Sequence, residues 1–555
     1  MEAPSWIPYC NILHSRRTVS YAAVMLGLGF SIAAAFDFAS VAESTEREPR
    51  FEDYFSGQLD GLNDTSAKLD AFVASVAKHR ASKAYSAPAK IKNDKNAKTY
   101  DDYRKMVFNR DRGRWSGEPN GFEVHALPMG WLFDHGISVA SVDAQGMKPM
   151  QFTGKDFLLN GKELESQDPG KPKTNETPPE EVPISGFRIN GHLNDPDKSD
   201  EIIVFQGASY FRALAKGQTY GLSGRGLAIA TGSSKGEEFP EFQSFWIEKP
   251  AADAKSFVIH ALLDSPSTTG AYRFDVTPGD ETVVNVSAKL FPRKQIQQYG
   301  LAPLTSMNVL SPLTPGRIRD FRPRVHDSQA LAIWGANGER IWRPLANPRA
   351  LQISSFMGNA PKGFGLIQRV RKFDSYEDLE ARYERRPSVW IEPKSDLFKD
   401  GEVVLVEIPA EQEWHDNIVA YWQPKEPLLP GKSYDFAYSM HWAADTPPGE
   451  DDEGLRVWAT RLGAAHNGKD DALRFVIDYQ GSKAGDVEKL PEGVVRASKG
   501  EVGDVAVQRN PETGGVRASF VFNPQGAEST ELRLDLKGER PFENETWLYR
   551  WTRSD

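Results

Sequence analysis

Between about residues 120 and 445 the chain repeatedly breaks into short apolar runs, at 122–126, 201–205, 257–263, 281–291 and 401–408, separated by Gly, Pro, Asp and Asn. Pieces of that length cannot bury a core alone and must pair. Within the fourth, Thr282-Val-Val-Asn-Val-Ser-Ala-Lys-Leu partly alternates apolar and polar residues, as expected where one sheet face is buried and the other wet. The pattern predicts a mainly β protein built on a large antiparallel sheet system. The 46 Gly and 37 Pro suit its many turns. At 555 residues, units of roughly 150 residues would give two to four domains.

A different pattern opens the chain. Arg16 and Arg17 precede an uncharged stretch from Thr18 to Phe36, followed by Ala39-Ser-Val-Ala42. This is the order of a signal peptide, with cleavage expected after Ala42; an uncleaved anchor is the alternative. Ser15-Arg-Arg-Thr-Val also resembles a twin-arginine export signal. The one cysteine, Cys10, leaves with residues 1–42, so the exported chain forms no disulfide, cysteine-ligated zinc site or iron–sulfur cluster. The net charge of -10 is unchanged by that removal and gives no drive toward nucleic acid or anionic lipid. A neutral ligand fits better.

Leu59, Leu62, Leu69, Phe72, Val73 and Val76 have mostly helical spacing, which predicts one or two surface helices between residues 43 and 110. Lys90, Lys92, Lys95 and Lys98 lack interleaved aromatics and read as a solvated face. A further helix is expected at 375–385, capped by Ser375 and ended by Pro387. Pro447-Pro-Gly-Glu-Asp-Asp-Glu-Gly454 reads as a stiff acidic linker. The organisation expected is therefore a large β domain over 43–445, a linker at 446–454 and a small immunoglobulin-like β-sandwich over 455–555.

The sequence has no HExxH, P-loop, GxGxxG or GxSxG motif, and its histidines lack conventional ligand spacing, so neither a metal nor a cofactor is expected. Two segments gather acids, amides and aromatics beside strands. They are His326-Asp-Ser328 leading to Trp334-Gly-Ala-Asn-Gly-Glu339, and Glu413-Trp-His-Asp-Asn417 leading to Tyr421-Trp-Gln423. Aromatics stack on sugar rings, amides and Arg read hydroxyls, and an acid with a raised pKa protonates a glycosidic oxygen. The same composition also suits tryptophans filling a core and acids making turns.

Longer motifs then carry a resemblance. Phe205-Gln-Gly-Ala-Ser-Tyr-Phe-Arg212, Tyr220-Gly-Leu-Ser-Gly-Arg-Gly-Leu-Ala-Ile229, Glu238-Phe-Pro-Glu-Phe242, Ala261-Leu-Leu-Asp-Ser-Pro-Ser-Thr-Thr-Gly-Ala-Tyr272, Ala302-Pro-Leu-Thr-Ser-Met307 and Asn359-Ala-Pro-Lys-Gly-Phe-Gly365 occur in order. Over about residues 103–551 the chain resembles the bacterial periplasmic glucan biosynthesis proteins G and D. The resemblance implies a galactose-mutarotase-like N-terminal β-sandwich with a cleft, an immunoglobulin-like C-terminal domain, and a periplasmic location. It further implies action on osmoregulated periplasmic glucans with a β-1,2-linked glucose backbone, as an inverting endo-β-1,2-glucanase. Matching motifs place the general acid on Asp416 and the base-side carboxylate on Asp327, which is expected to act through a relay.

Tyr210, Arg212, Arg225, Trp334, Trp390 and Trp422 are the expected substrate contacts, with Glu238 and Glu339 as acceptors. Transient association with an inner-membrane glucan synthase follows from the family, and a homodimer is one assembly it allows. Two functional classes are carried forward: a glycoside hydrolase that trims the glucan, and a glucan-binding or synthesis-assisting protein with little catalysis. A purely structural exported protein is a third.

Overall fold

The computed structural model describes residues 47–54, 62–90, 99–164, 181–314, 318–444, 454–465, 471–481, 490–539 and 542–553. The expected leader and nearly all of the expected linker lie outside these residues, as do Lys92, Lys95 and Lys98. The described chain is mainly β. One ten-stranded sheet carries, in spatial order, Phe122–Pro128, Ile184–Gly191, Asp200–Gln206, Tyr210–Ala213, Ser223–Arg225, Tyr299–Ser306, Ile418–Pro424, Asp400–Glu407 and Gln352–Asn359, with Ala228–Ile229 paired to Tyr299–Ser306 off that path. A fourteen-stranded sheet runs through Thr282–Pro292, Thr268–Thr277, Phe257–Asp264 and Glu241–Glu248 among others. Each of the five apolar runs lies in a strand, save Glu281 and Ile408 at the ends of theirs.

The two large sheets meet face to face through alternating side chains. Phe187, Phe205 and Phe211 of the first interlock with Phe242, Phe245 and Phe274 of the second. Ring centroids lie 4.9–6.2 Å apart at 61–75° in these contacts, the edge-to-face geometry that aromatic quadrupoles favour. Residues one step along the same strands, among them Arg188, Val204, Gln206, Tyr210 and Arg212, therefore point away from the core.

Helix Leu62–Ala81 lays Leu69, Phe72, Val73, Val76 and Ala77 against Trp246, Leu262 and Phe291 on the outside of the fourteen-stranded sheet. The helix expected at 375–385 does not form. Glu377 and Arg382 take φ of 56° and 46°, which an α-helix excludes. The Asp378 carboxylate accepts the Glu380 and Ala381 N–H groups at 2.8 and 2.7 Å, replacing helical carbonyls. Only 3-10 turns remain at its two ends, Phe373–Ser375 and Tyr383–Arg385, with Tyr376, Ala381 and Tyr383 buried together.

The C-terminal residues join the large sheet directly. Strand Thr546–Thr552 pairs in parallel with Arg340–Pro344, Trp342 opposite Trp547. A second core of Trp342, Trp390, Phe475, Phe520 and Trp547 fills the space between this end of the sheet and the five-stranded sheet. Arg369, stacked 3.9 Å over Trp342, makes a buried bidentate pair with Glu545 at 2.7 and 2.6 Å.

Candidate active site

Met307 and Asn308 draw two distant segments together. Strand Asn308–Leu310 pairs with Val325–His326, and the Asp327 N–H donates to the Met307 carbonyl at 2.8 Å. On the other flank, Asn417 accepts the Asn308 N–H at 2.8 Å and donates to the Asn308 carbonyl at 3.1 Å. It also donates to the Ile408 carbonyl at 3.0 Å. Asp327 and Asp416 thus leave opposite sides of one two-residue stretch.

Asp416 stands just before strand Ile418–Pro424, with its side chain only 2% exposed. Its Oδ2 is buried without a hydrogen-bond partner, and the nearest guanidinium nitrogen, Arg212 Nη2, is 3.9 Å away. Burial pushes the Asp416 carboxyl up to about 7, the charge of Asp327 adds to the rise, and Arg212, Arg386 and Arg225 oppose it. A protonated acid near neutrality results.

Asp327 is fully buried, and its Oδ1 accepts from Arg386 Nη1. Burial raises the Asp327 carboxyl, while Arg386 and then Arg212 pull it back. The net direction for Asp327 is upward, and the Arg386 guanidinium, which keeps its proton throughout the physiological range, favours the ionised carboxylate against that burial. Oδ2 of Asp327 remains buried without a partner. Neighbouring His326 is pushed down to about 3, mainly by burial, and is neutral. Because Gln368 Nε2 donates to the Tyr383 carbonyl, its Oε1 is left to accept from His326 Nδ1–H at 3.0 Å, which assigns the tautomer. Ser328 is tied to Ser306 Oγ at 2.8 Å. His326 and Ser328 therefore orient the segment.

Asp416 opens on a cavity of about 320 Å³ on the outer face of the ten-stranded sheet. Tyr210 and Arg212 line it, with Arg212 Nε fixed by Ser223 Oγ at 2.6 Å. Arg225 lies behind this wall, 5.1 Å from the ring centroids of both Tyr210 and Phe239, and bonded to Glu237 at 2.7 Å. It positions the aromatics.

The model of the family described as "Periplasmic glucan biosynthesis protein, MdoG" matches residues 70–551. The chain belongs to this family. Glucans biosynthesis protein G of Shewanella frigidimarina (strain NCIMB 400) is 47% identical over 455 residues, covering 82% of this chain and 79% of that one. Its counterpart in Shewanella baltica (strain OS155) is 44% identical over 460 residues, with 82% and 81% covered. Among solved structures, a polysaccharide lyase aligns at 11% identity and a TM-score of 0.17, over 66% of this chain and 44% of that one, too slight a likeness to carry an argument. Family membership makes this a periplasmic protein of glucan biosynthesis.

Within this MdoG-family chain, the other expected contacts lie away from the cavity. Trp422 shares the inward face of its strand with Ile418 and Ala420, and its indole N–H donates to the Leu397 carbonyl at 2.9 Å. It is a core residue. Trp390 is buried in the second core and sits so close to Gly363 that a Cβ there would lie 2.4 Å from the indole ring. Packing, rather than ligand approach, accounts for that glycine. Trp334 stacks under Arg340 and Lys362, 4.8 and 5.2 Å from its centroid, while Glu339 pairs with Arg533 at 2.7 Å. Glu238 caps a turn by accepting from the Ser267 N–H and hydroxyl at 2.9 and 2.5 Å.

Asn417 stands in the second of the two acid-rich segments without an expected site role, and spacing alone does not mark Arg386, Arg188, Glu201 or Gln206. Alternation carries the missed signal for Gln206: Phe205 is core, so Gln206 must face outward. Among the described residues, no group of three or more His, Cys, Asp or Glu is placed to hold a metal ion.

Proposed function

We propose that this protein is an inverting endo-β-1,2-glucanase that trims or shapes the backbone of osmoregulated periplasmic glucans. The observation that carries the reading is the contrast between two carboxyls. Asp416 is held protonated up to about pH 7 at the cavity wall, while Asp327 is paired with Arg386. A neutral acid can give its proton to the departing glycosidic oxygen, and an ionised carboxylate can take one from water on the opposite face of the sugar, directly or through a relay. Arg212 then helps stabilise Asp416 as it becomes an anion. Its 3.9 Å separation is loose enough to leave the ground-state acid neutral.

The test is incubation of mature protein and Asp416→Asn with linear and cyclic β-1,2-glucans, following oligosaccharide release and binding together. The hydrolase reading expects products from the parent, at least a hundredfold slower turnover in the variant, and glucan binding by both. Binding without products from the parent would assign a glucan-binding or synthesis-assisting role. No saturable binding by either protein would exclude both.

A further inference from the structure

We propose that Gln329 is a positioning residue for the acid pair, through which the C-terminal strands hold both Asp327 and its partner Arg386 in place. The proposal rests on the glucanase reading above and adds to it a residue outside the cavity.

Gln329 lies just beyond Asp327 and Ser328, and its main chain is tied into the large sheet. Its N–H donates to the Ile367 carbonyl at 2.9 Å and its carbonyl accepts the Leu345 N–H at 3.0 Å. Its side chain reaches elsewhere. Oε1 accepts the Arg369 and Val370 N–H groups at 3.2 and 3.3 Å, and Nε2 donates to the Trp458 carbonyl at 2.8 Å. Trp458 belongs to strand Arg456–Ala464 of the five-stranded sheet. One amide therefore joins the Asp327 segment, the backbone at 369–370 and a C-terminal strand.

The backbone at 369–370 begins the loop that delivers Arg386. The Val370 carbonyl accepts the Tyr376 hydroxyl at 2.9 Å, and the Tyr376 ring stands 5.3 Å from His326 and 6.1 Å from Tyr383. Arg386 in turn lies 4.1 Å over the Tyr383 ring. Asp327 is thus joined to the amide along its own chain, and Arg386 through Val370, Tyr376 and Tyr383. A shift of Gln329 reaches both members of the ion pair.

The C-terminal strands keep the amide from shifting, because its partners are themselves clamped together. Arg369 Nη1 donates to the Val457 carbonyl at 2.7 Å, and Glu545, the bidentate partner of Arg369, also accepts the Val457 N–H at 2.7 Å. A buried ion pair adds little net stability over apolar residues of similar volume, whereas its paired, directional bonds hold one geometry. That geometry is passed to Gln329 from both sides.

The test compares mature Gln329→Leu and Gln329→Glu with Phe520→Leu, which loosens the C-terminal core and touches none of these bonds. Leucine removes all three amide bonds, while an ionised glutamate keeps an acceptor for the Arg369 and Val370 N–H groups but has nothing to donate to Trp458. Melting is measured on each protein, with kcat, KM and the pH profile of β-1,2-glucan cleavage. Gln329→Leu is expected to lower kcat about tenfold or more, with KM within about twofold of the parent. Its acid limb should move to higher pH, because an Asp327 less closely held by Arg386 takes up a proton more readily, while the basic limb set by Asp416 stays in place. Gln329→Glu should show the same changes in part, and Phe520→Leu should melt lower with parent-like kcat and pH profile. If Gln329→Leu fails to fold, Gln329→Glu decides alone. Parent-like kcat and acid limb in Gln329→Glu, or values in Gln329→Leu no different from those of Phe520→Leu, would overturn the positioning role and leave the glucanase reading intact. No products from the parent with any β-1,2-glucan would overturn both.

Discussion

Asn417 grips the backbone of Asn308 from both ends, accepting its N–H at 2.8 Å and donating to its carbonyl at 3.1 Å. An amide side chain offers acceptor and donor side by side with no proton to lose. Since Asp327 hangs from Met307 and Asp416 precedes Asn417, the clamp sets how the two carboxyls face each other.

Asn417→Ala removes three buried hydrogen bonds and leaves backbone groups of Asn308 and Ile408 unpaired. Unpaired buried groups cost about 1–3 kcal/mol each, partly relieved by relaxation, so a loss of about 3 kcal/mol is expected in urea unfolding. Turnover should fall through kcat, since the clamp touches the acids and not the far end of the cavity. A variant with normal kcat would show that the clamp does not set the acid geometry.

The rate of glucan cleavage should decline as pH rises through about 7, because Asp416 then loses the proton it must donate. His326, neutral down to about pH 3, should contribute no step between pH 4 and 9. A pH profile of kcat/KM checks both: the basic limb should persist in His326→Gln if that variant retains turnover.

Stability should carry the same signature with a defined sign. A carboxyl raised from 3.8 to about 7 binds more protons folded than unfolded between those values, so its stabilising contribution is whole below about pH 4 and is lost as pH climbs toward 7. Asp416→Asn keeps the site neutral. The variant should therefore gain on the parent across that window, by at most about 4 kcal/mol above pH 7, and show no growing advantage below pH 4. Thermal melting of both proteins from pH 4 to 8 measures the difference.

Much of this arrangement was legible in the chain. Period-two patterning marks strand Thr282–Pro292, and the motifs around Asp327 and Asp416 identify two acids that the fold does bring together. The tryptophans were not, because an aromatic serves a core or a sugar with equal chemistry. What separates Trp422 from Tyr210 is only which face of a strand each occupies. Charged partners were hidden for another reason: Arg386 meets Asp327 through a turn that replaces the expected helix, and local propensity does not encode that meeting.

The Asp327–Arg386 pair supplies the sharpest contrast between structural and chemical roles. Both side chains are almost fully buried, at 0% and 5% exposure, and Arg386 also lies 4.1 Å over the Tyr383 ring. Arg386→Met leaves a carboxylate in a low-dielectric site with no counter-charge beside it, which costs about 3–5 kcal/mol when one partner of a buried pair is removed. Asp327 would respond by binding a proton, so the variant should lose the base-side carboxylate as well as stability. The double substitution Asp327→Asn with Arg386→Met removes both charges and should recover part of the lost stability, because no charge is left buried alone. Turnover should stay absent, since no base remains. Urea unfolding and glucan hydrolysis on the three proteins separate the effects: recovery of cleavage in the double variant would mean that the pair only holds the fold and that Asp327 takes no part in the chemistry.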